Sequence, residues 1–291
     1  MTNRTRRILI RALALTLILV LTSGCASLMS SAATGLADSL SNAVLNQNDP
    51  ETARIAIPAY MVLLDGILES NPDDPKLLVA AATMYATYGA VFADSELRAS
   101  RLTTRARSYA LRAMCNTYKE SCHWPEMNYD EFVVSVQGVK AKHADILYSY
   151  GFASLVYLQA HSSDWNSLAE LPEIEALFYH YLDIAGDDVT PSTHTYMGIM
   201  LTLRPPAFGG KPDEAREHFE KAIALTNGRD LGAKVEFARG YAKLMYDREL
   251  HDRLINEVLA ADPEEHGLTL SNILAQEDAV IMKEEADDYF F

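Results

Sequence analysis

The sequence predicts an all-α protein, built as an array of antiparallel helix pairs in a degenerate, tetratricopeptide-like superhelix or bundle. Two observations predict this fold class. From Ser39 to the C-terminus, apolar residues recur at the spacing of amphipathic helices, and no stretch alternates with period two for long. Short polar clusters with proline or glycine interrupt this pattern and divide the chain into about ten helices of ordinary length.

The interruptions define the helices in chain order. Proline lacks a backbone N–H, and Asp, Asn, Ser and Gly favour turns and helix caps, so each such cluster ends one helix and starts the next. The clusters are NQNDPE, NPDDP, SCHWPEMNYD, HSSDWN, AGDDVTPS, RPPAFGGKPDE, TNGRD and ADPEEHG.

One helix pair carries a repeat signature. Ala215, Phe219 and Ala222 place a small, a large and a small side chain on one helix face, and the preceding helix supplies Met197 and Gly198. This spacing is typical of tetratricopeptide units, where small residues let two helices approach closely. The close-approach spacing recurs at Ala106, Ala110 and Ala113. Because the period is irregular, a helical bundle without repeats is the alternative.

The segment Gly209-Gly210-Lys211-Pro212 could be mistaken for a phosphate-binding loop. A P-loop needs an earlier glycine, a hydroxyl residue after the lysine and a preceding strand. Here Pro212 follows Lys211, and the preceding residues have a helical pattern. Proline in the first turn, followed by Asp213, favours a helix start.

Other catalytic motifs are also missing from the sequence. Neither G-x-S-x-G nor H-E-x-x-H occurs, and His180 and His194 are too far apart to indicate a local metal pair. His218 and His251 lie on amphipathic helices, where packing or surface roles are commoner than catalysis. The sequence therefore predicts a protein that is not an enzyme and uses no metal or cofactor. An enzyme with an unfamiliar site is the alternative.

The N-terminal residues have the organisation of a bacterial lipoprotein signal. Four arginines precede an apolar run that is too short to span a bilayer, and the segment ends in Ser23-Gly24-Cys25. We therefore expect a signal peptide at 1–24, a lipidated spacer at 25–38 that begins with Cys25, and one helical domain at 39–291. The alternative is an ordinary cleaved signal with a cysteine close by. The strongly apolar run favours general secretion over twin-arginine export.

The predicted mature chain is strongly acidic. The whole sequence has a formal net charge of −15, and removing residues 1–24 takes away four arginines and no acid. An acidic surface repels phosphate backbones, so nucleic acid is excluded as a partner.

Cys115 and Cys122 remain as a pair in an oxidising compartment. Seven residues of continuous helix would separate them by about 10 Å, and a disulfide needs Cα atoms within roughly 7 Å. A bridge therefore requires the helix to end between them, with Asn116 as a candidate C-terminal cap and Pro125 preventing its continuation. Two free buried thiols are the alternative.

Aromatic residues concentrate on the predicted helices. Core packing explains them most simply, and a ligand-lined channel is the alternative, which the many tyrosine hydroxyls favour slightly. The residues are Tyr85, Tyr88, Phe92, Tyr148, Tyr150, Phe152, Tyr157, Phe178, Tyr179 and Tyr181.

Two segments carry a resemblance to a known family, from LRPPAFGGKPDEAREHF and from YDRELH. With the upstream segments LLDGILESNPDDPKLLVAAATMYATYGAVFAD and DILYSYGFASLVYLQAHSSDWN, the chain resembles the TatT components associated with TRAP transporters. The residues that carry the match, with no role assigned to them, are Arg204, Pro205, Pro206, Gly209, Gly210, Lys211, Pro212, Ala215, Phe219, Asp247, Arg248 and His251.

The resemblance implies a periplasmic lipoprotein of cryptic tetratricopeptide-like fold, organised as a homotrimer with a pore or cavity in each protomer. It implies a periplasmic solute-binding protein as partner, the membrane as a second partner through the lipid anchor, and a small, hydrophobic molecule as a ligand. Ala26 follows Cys25, where an aspartate would favour the inner membrane, so we expect anchoring in the inner leaflet of the outer membrane. The alternative function is a lipoprotein scaffold for envelope assembly that binds no ligand.

Overall fold

The computed structural model describes residues 39–291, except for the side chain of Asp188. The predicted signal peptide, Cys25 and the spacer lie outside the described residues. The chain divides into two units, residues 1–43 and residues 44–291. Of the first unit, only residues 39–43 are described, and they are helical. The second unit is the helical body described below.

The prediction of an all-α fold is confirmed, since residues 39–291 contain helices and no strand. The helices are α1 (residues 39–45), α2 (Pro50–Ser70), α3 (Pro75–Val91), α4 (Glu96–Thr117), α5 (Tyr129–Gln137), α6 (Ala144–Ala160), α7 (Trp165–Ala169), α8 (Leu171–Ala185), α9 (Pro191–Thr202), α10 (Pro212–Leu225), α11 (Leu231–Glu236), α12 (Arg248–Ala260), α13 (Thr269–Glu284) and α14 (Ala286–Tyr289). Short 3-10 helices cover Lys119–Glu126, Ala141–His143, Gly186–Asp188 and Pro206–Phe208, and a π-helix covers Phe237–Ala242.

Most helices begin where the polar clusters predicted. Asp49 caps α2 by accepting a hydrogen bond from the backbone N–H of Glu51 at 3.2 Å, and Asp74 caps α3 in the same way. Proline occupies the first turn of both helices and of α10, where its missing N–H costs nothing. The segment at Lys211 therefore starts a helix, as predicted, and α9 precedes it in place of a strand.

The chain leaves α4 in a different way from the one predicted. The helix continues through Asn116 to Thr117, and Tyr118 is the C-cap residue. Asn116 is not the cap, because its side chain donates to the backbone carbonyl of Asp73 at 3.1 Å. Pro125 also does not end helical structure at once, since it lies inside the following 3-10 helix. The turn between Thr117 and Lys119 brings Cys115 and Cys122 to a Cα separation of 4.7 Å, where they are joined as a disulfide.

The helices pack in an order that closes on itself. Each helix packs on the one that follows it in the order α2, α3, α4, α6, α8, α9, α10, α11 and α13. Helix α13 then contacts α2, and beside this contact the backbone N–H of Gly267 donates to Asn46 Oδ1 at 2.8 Å. The body is therefore a closed ring of helices.

Two hydrophobic cores occupy opposite parts of this ring. The first core draws mainly on α2 to α6, and the second draws mainly on α9 to α13. Helix α8 serves both, because Leu177 and Tyr181 belong to the first core and Ile174 and Phe178 to the second. No helix within residues 39–291 combines the length and apolarity needed to cross a bilayer.

Candidate functional site

Three side chains lie between the two cores. Tyr148, Leu182 and Tyr196 pack against both cores, yet each keeps part of its surface accessible. These side chains therefore lie at the boundary between the two cores, with part of their surface accessible. We call the surface around these three residues the ring interior.

Tyr148 comes from α6 and is held by polar and aromatic contacts. Its hydroxyl lies 3.3 Å from the Ser192 hydroxyl at the start of α9, and its ring centroid lies 5.2 Å from that of Tyr181 on α8. Burial raises the pKa of Tyr148, although nearby hydroxyls, Ser192 first, act in the opposite direction. The ring is therefore fixed by three helices.

Tyr196 comes from α9 and packs its ring at a tilt against Phe152 of α6, with centroids 5.0 Å apart. Its hydroxyl has no hydrogen-bond partner within residues 39–291. Burial is the largest cause that raises the pKa of Tyr196, and nearby Tyr148, Asp230 and Glu236 add to it. Tyr196 is thus held by its ring against α6 while part of its side chain stays accessible.

Acidic side chains stand at both ends of α11, with Asp230 before its first turn and Glu236 where it passes into the π-helix. Arg239 pairs with both Glu236 and Asp278, and the contact to Asp278 measures 2.5 Å. Burial raises the pKa of Glu236, and Arg239 only partly offsets this. Asp230 caps α11 through the backbone N–H of Ala233, and burial raises its pKa as well. These carboxylates therefore lie in a partly desolvated region.

The segment from Arg204 to Lys211 forms a tight corner between α9 and α10. A Cβ on Gly210 would lie 1.8 Å from the carbonyl oxygen of Arg204, so only glycine fits, and Gly209 has a left-handed φ of 88°. Arg204 pairs with Glu175 of α8 at 3.4 Å, and Lys211 pairs with the same carboxylate. The corner is thus anchored to α8.

Tyr179 extends this polar cluster along α8. Its hydroxyl donates to Glu214 Oε1 at 2.6 Å, and Lys211 Nζ lies 5.0 Å from its ring centroid. Burial and the bond to Glu214 raise the pKa of Tyr179 to about 12, so the hydroxyl stays protonated. The cluster therefore fixes the start of α10 against α8.

Beyond the corner, α10 packs its predicted face inward. Ala215, Phe219 and Ala222 are all fully buried. The Phe219 ring covers Gly198 of α9 and stacks on Phe237 at a centroid distance of 5.1 Å. The close approach predicted from the small residues is therefore present in this pair.

The second matching segment holds the C-terminal helix. Asp247 caps α12 by accepting from the backbone N–H of Leu250 at 3.0 Å. Arg248 pairs with Asp287 of α14 and donates to the carbonyl oxygen of Phe290 at 3.3 Å. His251 is fully buried, with its ring 5.1 Å from that of Phe290. These residues thus dock α14 onto α12.

The comparison with known families covers both the corner from Arg204 to Lys211 and the segment that holds the C-terminal helix. Residues 46–290 match the family model of the TRAP transporter T-component, TAtT, and this range includes both segments and the ring. The chain belongs to the TRAP transporter T-component family. No curated protein matches the chain. The family is one of transporter components and not of enzymes, and it associates this chain with a transport system of the cell envelope.

Outside the ring interior, this T-component has a pocket of about 230 Å³ between α5 and α8. Its wall mixes apolar and polar side chains, and Tyr179 links it to the polar cluster. The lining residues are Val133, Val136, Gln137, Ala176, Tyr179, His180 and Asp183. In residues 39–291, no group of three or more His, Cys, Asp or Glu side chains is arranged to hold a metal ion.

Sequence analysis missed one buried pair in the T-component. His194 of α9 and His218 of α10 have their Nδ1 atoms 2.9 Å apart. One ring must donate and the other must accept, so the pair requires at least one neutral imidazole. Burial lowers the pKa of both histidines, that of His194 to about 4. Their separation of 24 residues left no local signal in the sequence.

Most of the predicted aromatic residues serve the cores. Tyr85, Tyr88, Tyr150, Phe178 and Tyr181 are buried and belong to packed clusters or their contacts. Among the predicted aromatic residues, only Tyr148 packs against both cores and remains partly accessible. Tyr196 does the same, but it was not among the predicted residues, because nothing near it in the sequence marks it.

Proposed function

We propose that this T-component is a non-catalytic accessory of a TRAP transporter that binds the periplasmic solute-binding protein and holds or passes a small ligand through its ring. It is tethered by a lipid on Cys25 to the inner leaflet of the outer membrane, with the helical body in the periplasm. Membership of the T-component family supports the transporter role.

One observation carries the ligand part of the proposal. The helices close into a ring, and Tyr148 and Tyr196 border both cores while staying partly accessible. A structural scaffold needs no accessible space between its cores, because its partners bind on the outside. Partly accessible aromatic rings in an enclosed site are the usual lining of ligand cavities.

The test of the partner role is a cross-linking pull-down. The tagged full-length chain would be expressed in its own host, cross-linked in whole cells and purified from detergent extract. We expect a solute-binding protein to be enriched over a control in which an unrelated lipoprotein carries the same tag. Recovery of envelope-assembly proteins without a solute-binding protein would support the scaffold in its place.

The homotrimer belongs to the same proposal. Sedimentation of the purified chain from residue 26 would give three times the protomer mass if the trimer forms. A monomer at micromolar concentration would contradict it.

A further inference from the structure

Helix α2 presents an uncharged side to solvent. Its buried residues, from Ala53 to Leu68, lie on one side of the helix and pack into the first core. At 3.6 residues per turn, the solvent side between Ile55 and Ile67 covers an arc of about 160° that contains no charged residue. We call this side the α2 face. Its residues are Ile55, Ala56, Ala59, Tyr60, Val62, Leu63, Gly66 and Ile67.

The other described residues leave the α2 face accessible. Helix α2 packs on α3 and α13 with its buried side, while Ile55 is 64% exposed, Val62 69% and Leu63 46%. A Cβ on Gly66 would meet no atom within 4 Å. Single exposed apolar residues are common on protein surfaces, but a continuous uncharged row of them marks a surface that another apolar surface covers.

The charged residues of α2 lie along one edge of this face. Glu51, Arg54, Asp65 and Glu69 fall within an arc of about 60°. Arg54 pairs with Glu51 at 2.6 Å, and Asp65 accepts a hydrogen bond from the Tyr85 hydroxyl at 2.6 Å. A helix with this arrangement can lie flat on an apolar surface while its charged groups stay in water.

The place of α2 in the chain indicates which surface this is. The spacer 26–38 separates the expected lipid attachment site, Cys25, from α1, and α1 is followed along the chain by a short turn and α2. A segment of this length spans at most about 45 Å. Helix α2 is therefore the first long helix after the anchor, and a bilayer that holds the anchor stays within reach of it.

A bilayer also suits the chemistry of the α2 face. Protein partners that bind and dissociate use interfaces with a polar rim and hydrogen bonds, and this face offers neither charges nor paired polar groups. The chain is acidic, so its contact with a lipid surface has to be apolar. Tyr60 lies at the border of the face, and tyrosine is enriched where proteins meet the membrane–water interface.

We propose that the α2 face docks on the bilayer surface, with Ile55, Val62 and Leu63 inserted between the lipid head groups. This inference rests on the proposed function, because the lipid on Cys25 is what holds the helical body beside the bilayer. The anchor supplies the attachment, and the docked face fixes the orientation of the body. Because the face is uncharged and the body is acidic, anionic lipid should not strengthen the contact.

The test measures lipid contact at single positions. Val62→Cys and Val134→Cys would each be labelled with the fluorophore NBD in the mature chain from residue 26, where Cys115 and Cys122 are bridged. Val134 of α5 is the matched control, since it is 70% exposed and Val62 is 69% exposed. An N-terminal histidine tag would hold the protein on phosphatidylcholine vesicles that contain a nickel-chelating lipid.

Brominated acyl chains in these vesicles should lower the emission of the Val62 probe at least about twofold, because an interfacial helix lies about 5–10 Å deep in the head-group region. The Val134 probe should keep its emission. Adding phosphatidylglycerol should not increase the quenching. Quenching that is absent at Val62, or equal at both positions, overturns the inference. So does a Val62 probe that is already shielded from iodide before vesicles are added, since a second copy of the chain would then cover the face.

The histidine tag separates this inference from the proposed function. Because the tag supplies the tether, the vesicle result does not depend on acylation of Cys25. If the Val62 probe is quenched and Cys25 carries no lipid in cells, the docking surface stands and the proposed anchor fails. If Cys25 is lipidated and the Val62 probe is not quenched, the anchor stands and the docking is wrong.

Discussion

The ring of Phe219 lies directly over Gly198, so close that a Cβ on this glycine would lie 2.6 Å from Phe219 Cζ. Phe219 is fully buried and stacks on Phe237, so its ring has little room to move away. Helices α9 and α10 can approach this closely only because position 198 has no side chain.

Gly198→Ala should therefore destabilise the protein. Placing a methyl group against a fixed aromatic ring forces strain in a packed core, and we expect the free energy of unfolding to fall by about 1–3 kcal/mol. Urea denaturation of the chain from residue 26, followed by circular dichroism, measures the change. Helicity at room temperature should be retained.

Gly66→Ala is the matched control in the exposed part of α2, where a Cβ would meet no atom within 4 Å. Alanine restricts the unfolded chain more than glycine does and suits a helix better, so this variant should gain up to about 1 kcal/mol. Similar losses in both variants would show that the Phe219 contact is not the cause.

The disulfide gives a second stability prediction. Cys115 and Cys122 close a short loop at the end of α4, and the entropy of closing a loop of this length corresponds to about 2 kcal/mol. The double variant Cys115→Ser/Cys122→Ser should lose about this amount. Reducing agent should destabilise the parent protein similarly and leave the variant unchanged. Alkylation of both thiols in unreduced protein from the periplasm would instead show that the bridge does not form.

Local features of the fold could be predicted from sequence because their signals lie within a few residues. The Asp-Pro pairs at Asp49-Pro50 and Asp74-Pro75 start helices because the Asp side chain accepts from backbone N–H groups of the first turn, where proline needs no partner. The small-large-small face of α10 is buried as expected, because helical periodicity determines which residues share a face.

Features formed between distant residues could not be predicted in this way. The hydrogen bond between Gly267 and Asn46 joins residues 221 positions apart, and nothing in either segment identifies its partner. The same is true of the pair between Arg239 and Asp278, which are 39 residues apart. Such pairings depend on how the whole ring of helices closes, and helical periodicity within one segment does not determine them.

The lipid anchor can be tested on the full-length chain. Cys25→Ser removes the only thiol that can carry the lipid at the signal junction, so the protein should move from the membrane fraction to a soluble or unprocessed form. Cys115→Ser is the control for loss of a cysteine and should stay with the membranes. Density fractionation of the parent protein should place it with outer-membrane markers, and inner-membrane markers would contradict the predicted sorting.

The histidine pair predicts how stability depends on pH. His194 is 3% exposed, and burial, with Lys221 and His218, lowers its pKa from 6.5 to about 4. Below pH 6.5 the unfolded chain therefore binds a proton that the folded chain does not. This proton binding stabilises the unfolded state and lowers the free energy of unfolding. The stabilising contribution is complete above pH 6.5 and is lost as the pH falls towards 4.

Between pH 7 and pH 5, this histidine alone should lower the free energy of unfolding by about 2 kcal/mol. His218 acts in the same direction, since burial also lowers its pKa while Glu214 opposes this. Buried acids with raised pKa values, such as Glu236, act in the opposite direction, so the parent must be compared with His194→Gln. Glutamine can still donate to His218 but does not titrate. Urea titrations at several pH values should show that the free energy of unfolding falls less with pH in this variant than in the parent. If the two proteins lose the same amount, His194 is not the group responsible.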